Sequence, residues 1–303
     1  MPRIMLEAPT PAAFIDTHLL PRLERHDDGG TDLDAGAWLT LADMLAEDAA
    51  LLRDVHTAMV AGGDPAKAVA NYFAGWVAGY LAEVVGFVWV TADAGVVVDE
   101  TVRWRLHSEG YPDRIDVSRC RVVVRDTHPW AGCPGVDDLP TRDDVRRQTT
   151  EALVAFLTPF VETCRTLAKV GRNALWAEVA DGLATATALA AHIDAGEGIP
   201  RVQELLDADG MPWRKRPKLW TAEGRCGPMV VVQKGGCCLA YTGGDDDHDH
   251  EDEEHRLYVE RFPKIEGQPA YCATCSFREP HDVEARQVFW SDLMERKNQA
   301  VCH

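Results

Sequence analysis

Four cysteines near the C-terminal end of the sequence form two motifs that are suited to binding metal. Cys237 and Cys238 are adjacent, and Cys272 and Cys275 form a Cys-x-x-Cys motif. Four clustered thiolates can ligate one structural zinc ion or a 2Fe-2S cluster. An adjacent cysteine pair is unusual for a single tetrahedral zinc ion, which favours the cluster. The spacing by itself leaves both metal centres open.

The residues before the adjacent pair bear on how its two sulfurs can face one metal centre. Neighbouring side chains of an extended strand point to opposite sides. Gly235 and Gly236 precede the pair and are predicted to let the backbone bend, so that both sulfurs reach the same side. The chain has nine cysteines, and this clustering favours metal binding over a disulfide framework. Cys120 and Cys164 are predicted to be small buried residues.

The two motifs resemble those of a known family. The run Cys237-Cys238-Leu239-Ala240-Tyr241, followed by Cys-x-x-Cys and a polar tail, is similar to the FhuF-like ferric-siderophore reductases. Residues 174–180 also resemble a helix upstream of that motif. The resemblance covers roughly the last third of the chain. One departure is that 33 residues (239–271) separate the two motifs, where the family loop holds about ten; we interpret the excess as a loop insertion, which costs little free energy.

The resemblance implies a cofactor, an activity and a substrate. Cys237, Cys238, Cys272 and Cys275 would hold a 2Fe-2S cluster, and the protein would be an oxidoreductase that reduces a ferric siderophore by one electron. Ferrous iron, which siderophores bind more weakly, would then be released. The sequence contains neither a P-loop nor a G-x-G-x-x-G motif, so the electron is expected to come from an unidentified donor. The alternative is a binding or redox-sensing module that is stabilised by zinc or an iron-sulfur cluster.

Charged residues suggest further partners and exclude one. The net charge of -18 excludes nucleic acid as an expected partner. Asp245–His255 contains eight acidic residues; it is either a solvated loop or a site that captures released iron. A basic segment between Trp213 and Trp220 is either a docking rim for an anionic ferric chelate or a structural loop. It consists of Arg214, Lys215, Arg216 and Lys218.

The remaining patterns predict an α+β fold that is mostly helical, with a small antiparallel β-meander at 86–125 and a compact C-terminal iron-sulfur segment. We expect residues 1–210 to form a helical and β-meander domain that binds the chelate, and residues 211–303 to bind the cluster. The predicted helices cover residues 12–25, 38–60, 64–80, 141–169, 173–193, 202–206 and 282–297. The predicted strands cover residues 96–98, 102–107, 115–117, 121–124 and 229–233.

The N-terminal residues and the most apolar segment predict where the protein resides. No long apolar stretch follows the first charged residues, so no secretory signal is expected. The segment from Gly75 to Val90 is interrupted by Glu83 and is short for a bilayer span. We therefore expect a cytoplasmic protein without a stable membrane span.

Overall fold

The computed structural model describes residues 10–14, 17, 37–107, 111–194, 197–239, 253–263, 269 and 271–297. The α+β class is confirmed: helices dominate, and the strands form small sheets. The helices are α1 (Pro11–Phe14), α2 (Leu41–Gly62), α3 (Ala66–Phe73), α4 (Tyr80–Ala92), α5 (Arg142–Ala168), α6 (Arg172–Asp194), α7 (Gly198–Leu206), α8 (Glu253–Arg261) and α9 (Pro280–Lys297), and a π-helical segment (Ala74–Gly79) joins α3 to α4. Most of the helix predicted at 12–25 lies outside the described residues.

The strands form three small sheets. They are β1 (Trp38–Thr40), β2 (Gly95–Val97), β3 (Arg103–Leu106), β4 (Pro112–Asp116), β5 (Arg121–Arg125), β6 (Val136–Leu139), β7 (Lys218–Gly224) and β8 (Gly227–Gln233). Antiparallel pairing gives the sheet β1-β3-β4 and the hairpin β7-β8, while β5 pairs with β2 antiparallel and with β6 parallel. The strands predicted within 86–125 are therefore divided between two sheets, and residues 86–92 belong to α4.

Local signals explain where several elements begin. Thr40 and Asp43 form a capping box at the start of α2, in which Thr40 Oγ1 accepts from the Asp43 N–H at 3.2 Å. Thr141 accepts from the Asp144 N–H at 3.1 Å and begins α5, as the sequence predicts. Such caps satisfy N–H groups that the first helical turn leaves without partners. Pro159 lies inside α5.

The core is built around two helical segments that cross closely. α3, the π-helical segment and α4 form one apolar stretch, which packs along α6. A Cβ atom on Gly182 would stand 2.1 Å from the carbonyl oxygen of Gly79, so the crossing requires glycine at this point. Ala66–Ala92 is the one helix among the described residues that is long and apolar enough to cross a membrane, and 83% of its most apolar window is buried inside the protein.

The C-terminal elements pack on the same helix. The hairpin β7-β8 contacts α6 through Val230 and Val232, which lie against Ala184. On the opposite face of the hairpin, Met229 and Val231 contact Val283 of α9. Helix α6 therefore contacts both the apolar helical core and the strand that leads to the adjacent cysteine pair.

Candidate functional site

Backbone and side-chain hydrogen bonds connect the two cysteine motifs. The Lys234 N–H, directly after β8, donates to the carbonyl oxygen of Thr274 at 2.8 Å. Gln233 Nε2 donates to the carbonyl oxygens of Cys275 at 3.3 Å and of Arg278 at 2.8 Å. The end of β8 is therefore fixed against the Cys-x-x-Cys turn, although the two segments lie about forty residues apart in the sequence.

The thiols of the two motifs interact directly. The Cys272 thiol interacts with both motifs: Cys238 lowers its pKa, while Cys275 and burial raise it, and the net shift is upward. The interaction with Cys272 lowers the pKa of Cys275 to about 7, while the nearby Cys237 and Cys238 act in the opposite direction. Burial raises the pKa of Cys237. Electrostatic interactions thus connect all four cysteines that the sequence singled out.

Arg278 holds the Cys-x-x-Cys turn through hydrogen bonds to its backbone carbonyl groups. Its Nε atom donates to the Cys272 carbonyl oxygen at 2.8 Å, and a terminal nitrogen donates to the Tyr271 carbonyl oxygen. The other terminal nitrogen pairs with Asp282 Oδ2 at 2.5 Å. Because a guanidinium presents several donors in a fixed plane, this one side chain can hold the turn and connect it to α9.

The adjacent cysteine pair is held by α6. Asp181 Oδ1 accepts from the Gly235 N–H at 2.8 Å, and Asp181 Oδ2 accepts from the Gly236 N–H at 3.1 Å. A Cβ atom on Gly235 would stand 2.5 Å from the backbone carbon of Arg216, and one on Gly236 would stand 2.9 Å from Ala177 Cβ. The two glycines are therefore required for close approach. Neither has a positive φ, and the left-handed residue is Leu239, after the pair.

A partly buried ion pair adjoins this turn. Lys234 Nζ lies 3.0 Å from Glu178 Oε2, and the side chains are 26% and 3% exposed. Burial, with the nearby Glu178 carboxylate, raises the pKa of Asp181 to about 7. Burial works against the charged form of Lys234, but Glu178 and Asp181 outweigh it and raise the pKa of that ammonium. The lysine therefore remains charged between two carboxyl groups.

The sequence-predicted basic segment lies beside the cysteine pair. Arg214, Lys215, Arg216 and Lys218 are all exposed. The Lys215 charge acts on the Cys237 thiol and favours its thiolate form. Arg216 forms a salt bridge with Asp207. Lys215 thus connects the segment electrostatically to the cysteines.

The four cysteines have the chemistry that a 2Fe-2S cluster needs, but their side chains are not grouped as a metal-binding set. Cys237, Cys238, Cys272 and Cys275 are free thiols, and four cysteines are the usual ligands of a 2Fe-2S cluster. Among the described residues, however, no three or more His, Cys, Asp or Glu side chains are grouped as a metal-binding set. Cys272 nevertheless interacts with thiols of both motifs.

The other cysteines lie outside this group. Cys120 and Cys164 are buried in the core, as predicted, and burial raises the pKa of Cys120 to about 11. Cys226 takes part in a disulfide, which the sequence analysis did not predict. Most of the acidic run lies outside the described residues, but its last three residues, 253–255, belong to α8.

Sequence reasoning missed the residues that position the cysteines. Asn71 Nδ2 donates to the Cys237 carbonyl oxygen at 3.3 Å, and no local pattern indicates this contact between residues far apart in the chain. The sequence could have indicated Glu178 and Asp181, because they are the two acidic residues in an alanine-rich helix segment. Acidic side chains on an otherwise apolar helix face are rarely buried without a partner.

In comparisons with protein-family models, with curated proteins and with solved structures, none matches this chain.

Proposed function

We propose that this protein is a ferric-siderophore reductase that holds a 2Fe-2S cluster through Cys237, Cys238, Cys272 and Cys275. The observation that carries the proposal is the hydrogen bond from the Lys234 N–H to the Thr274 carbonyl oxygen at 2.8 Å. This contact joins two motifs that are separated by 33 residues (239–271) in the sequence. A bound cluster would supply one electron at a time.

The adjacency of Cys237 and Cys238 supports a two-iron centre over a single tetrahedral zinc ion. One zinc ion needs four ligands around a common point, whereas a 2Fe-2S cluster divides its four cysteines between two irons. The zinc-stabilised module remains the alternative, and it is an outcome of the experiment below.

The residues around the cysteines have defined tasks under this proposal. Asp181 and Arg278 hold the two cysteine-bearing turns through backbone hydrogen bonds. Lys215 is exposed next to Cys237, where a cation attracts an anionic ferric chelate. Siderophores bind ferric iron through hard oxygen ligands and ferrous iron more weakly, so that one-electron reduction releases the metal.

The proposal is tested by anaerobic purification followed by measurement of iron, acid-labile sulfide and visible absorption. We expect two irons and two sulfides per chain, because a 2Fe-2S cluster contains both in that ratio. The dithionite-reduced protein should then transfer one electron to a ferric siderophore, recorded as bleaching in a stopped-flow instrument. A colourless protein that contains zinc would establish the alternative, and a coloured protein that never reduces any ferric siderophore would refute the reductase.

Single serine substitutions identify the ligands. Each of Cys237→Ser, Cys238→Ser, Cys272→Ser and Cys275→Ser should lose iron and sulfide, because a hydroxyl is a poor replacement for a thiolate. Cys133→Ser is the matched control, since Cys133, like Cys237 and Cys238, is a free, half-buried cysteine and lies in another part of the fold. An unchanged visible spectrum in one of the four variants would remove that cysteine from the ligand set.

A further inference from the structure

A cavity of about 300 Å³ lies between the π-helical segment and α6. Its wall includes Trp76 from the π-helical segment, Glu178 from α6, and Cys238 at the border with the cysteine pair. A volume of this size is at the lower end of those that hold small organic ligands. π-Helical segments within longer helices are frequent at functional sites. Its position beside the cysteine pair and the π-helical segment in its wall both indicate that this cavity is a candidate binding site.

The polar wall of the cavity contains buried acceptors without donors. Glu178 is 3% exposed and Asn71 is 1% exposed. Glu178 Oε2 pairs with Lys234, but Glu178 Oε1 and Asn71 Oδ1 have no hydrogen-bond partner within the described part of the chain. A buried acceptor that lacks a donor loses the hydration it had in water and gains nothing in return. A ligand that donates hydrogen bonds would restore these interactions.

The charges in the cavity wall indicate which charge the ligand carries. Three carboxyl side chains, from Glu83, Glu178 and Asp181, line the cavity together with one ammonium, from Lys234. Lys234 is already paired with Glu178. Glu83 and Glu178 outnumber Lys234 even when Asp181 is neutral, so the wall carries an excess of negative charge, which favours a cation and disfavours an anion. Both the charge and the unsatisfied acceptors point to a positively charged donor.

The aromatic side of the cavity favours an organic cation over a metal ion. Tyr72 and Trp76 both line the cavity, and their rings stack with centroids 5.5 Å apart. Aromatic faces attract ammonium and guanidinium groups and provide apolar contact for the carbon chain that bears them. A metal ion fits less well, because no three acidic, histidine or cysteine side chains in the described residues are grouped to ligate one.

We infer that this cavity binds a primary alkylammonium group, with the ammonium at Glu178 Oε1 and Asn71 Oδ1 and the carbon chain against Tyr72 and Trp76. The binding itself does not depend on the cysteines. Because Cys238 borders the cavity, a bound amine would lie beside the proposed metal centre. Only the further step, that the amine belongs to the ferric chelate, rests on the proposed function.

The inference is tested by calorimetric titration of the full chain with hexylammonium, 1-hexanol and hexanoate. These probes share one carbon chain and differ in the charge of the head group. Hexylammonium should bind about tenfold or more tightly than 1-hexanol, because hydrogen bonds to charged groups are stronger than neutral ones. Hexanoate should bind more weakly than either. Equal affinity for hexylammonium and 1-hexanol would overturn the inference.

Two variants and one control locate the binding. Glu178→Gln should weaken hexylammonium binding about tenfold or more, with little effect on 1-hexanol. Glu83→Gln changes a half-buried side chain of the same wall and should weaken the binding in the same sense, so it decides the question if Glu178→Gln does not fold. Glu151→Gln makes the same charge change at an exposed position of α5 and should leave the affinity unchanged. Equal effects of Glu83→Gln and Glu151→Gln would overturn the inference. Retained ammonium binding in a protein without reductase activity would refute only the proposed function.

Discussion

Asp181 Oδ1 lies 2.8 Å from the backbone nitrogen of Gly235, which fixes the turn before the adjacent cysteine pair to helix α6. The same carboxylate accepts from the Gly236 N–H through its other oxygen. One side chain in the helical core therefore positions the backbone that carries Cys237 and Cys238. This relationship makes the geometry of the cysteines depend on residues far from them in the sequence.

The close approach at Gly235 predicts that Gly235→Ala impairs metal binding. The added Cβ would stand 2.5 Å from the Arg216 backbone carbon, so either the turn or the irregular segment before β7 must move. We expect iron and sulfide per chain to fall in the purified variant. Gly171→Ala, where nothing lies within 4 Å of the added Cβ, is the control. A full complement of iron in Gly235→Ala would show that the cysteine pair tolerates displacement.

Asp181 predicts a pH dependence of stability. Its pKa in the folded protein is about 7, above the ordinary value of 3.8, so the folded state binds this proton more tightly than the unfolded state. The stability that this adds is complete below about pH 4 and is lost as the pH rises through about 7. Urea unfolding at several pH values should therefore show Asp181→Asn gaining stability relative to the unsubstituted protein as the pH rises. Parallel stability curves for the two proteins would contradict this.

The helix crossing predicts a cost for Gly182→Ala. The new methyl group would meet the Gly79 carbonyl oxygen at 2.1 Å, and backbone atoms of two packed helices cannot move aside easily. Overpacking of this kind costs about 1–3 kcal/mol of the free energy of unfolding. Gly62→Ala, which has open space around the added Cβ, should change it by less than about 0.5 kcal/mol. Chemical denaturation of both variants measures the difference.

A buried ion pair between neighbouring strands predicts a larger loss. Arg105 Nε donates to Asp113 Oδ1 at 2.9 Å, and the two side chains are 6% and 11% exposed. Asp113→Ala leaves the guanidinium buried without this partner and should cost about 3–5 kcal/mol. Asp137→Ala removes the partner of Arg121 from an ion pair that is about half exposed, so it should cost at most about 1 kcal/mol. Similar losses in the two variants would show that burial of the first pair is unimportant.

The position of Lys215 predicts selectivity for anionic chelates under the proposed function. Lys215→Gln should slow the reduction of anionic ferric chelates more than that of neutral ones, and the difference should shrink as salt screens the attraction. Lys67→Gln, at another exposed lysine, should affect the two chelate classes equally. Stopped-flow rates at low and high ionic strength test this. Equal slowing of both classes by Lys215→Gln would exclude the docking role but not the reductase.

The sequence by itself determined the elements whose signals are local. The N-cap residue Thr141 located α5, which ends at Ala168 against a predicted end near Lys169. The last helix, predicted at 282–297, spans Pro280–Lys297. The alternation at 102–107 identified β3. Caps and periodicity act within a few residues, so they can be read without knowledge of the fold. The adjacent cysteine pair and the Cys-x-x-Cys motif are local patterns too, so the sequence also located the four candidate ligands.

Only the tertiary structure decided which distant segments meet. Strand β1 pairs with β3 across more than sixty residues, and Arg105, which alternation places on the polar face of its strand, is buried by its pair with Asp113. The contacts of Asp181 with Gly235 and of Asn71 with Cys237 span 54 and 166 residues. Such contacts arise from the packing of whole helices and strands, and no local pattern encodes them. The sequence therefore identified the thiols, whereas the helices that hold them and the cavity beside them emerged only from the packed fold.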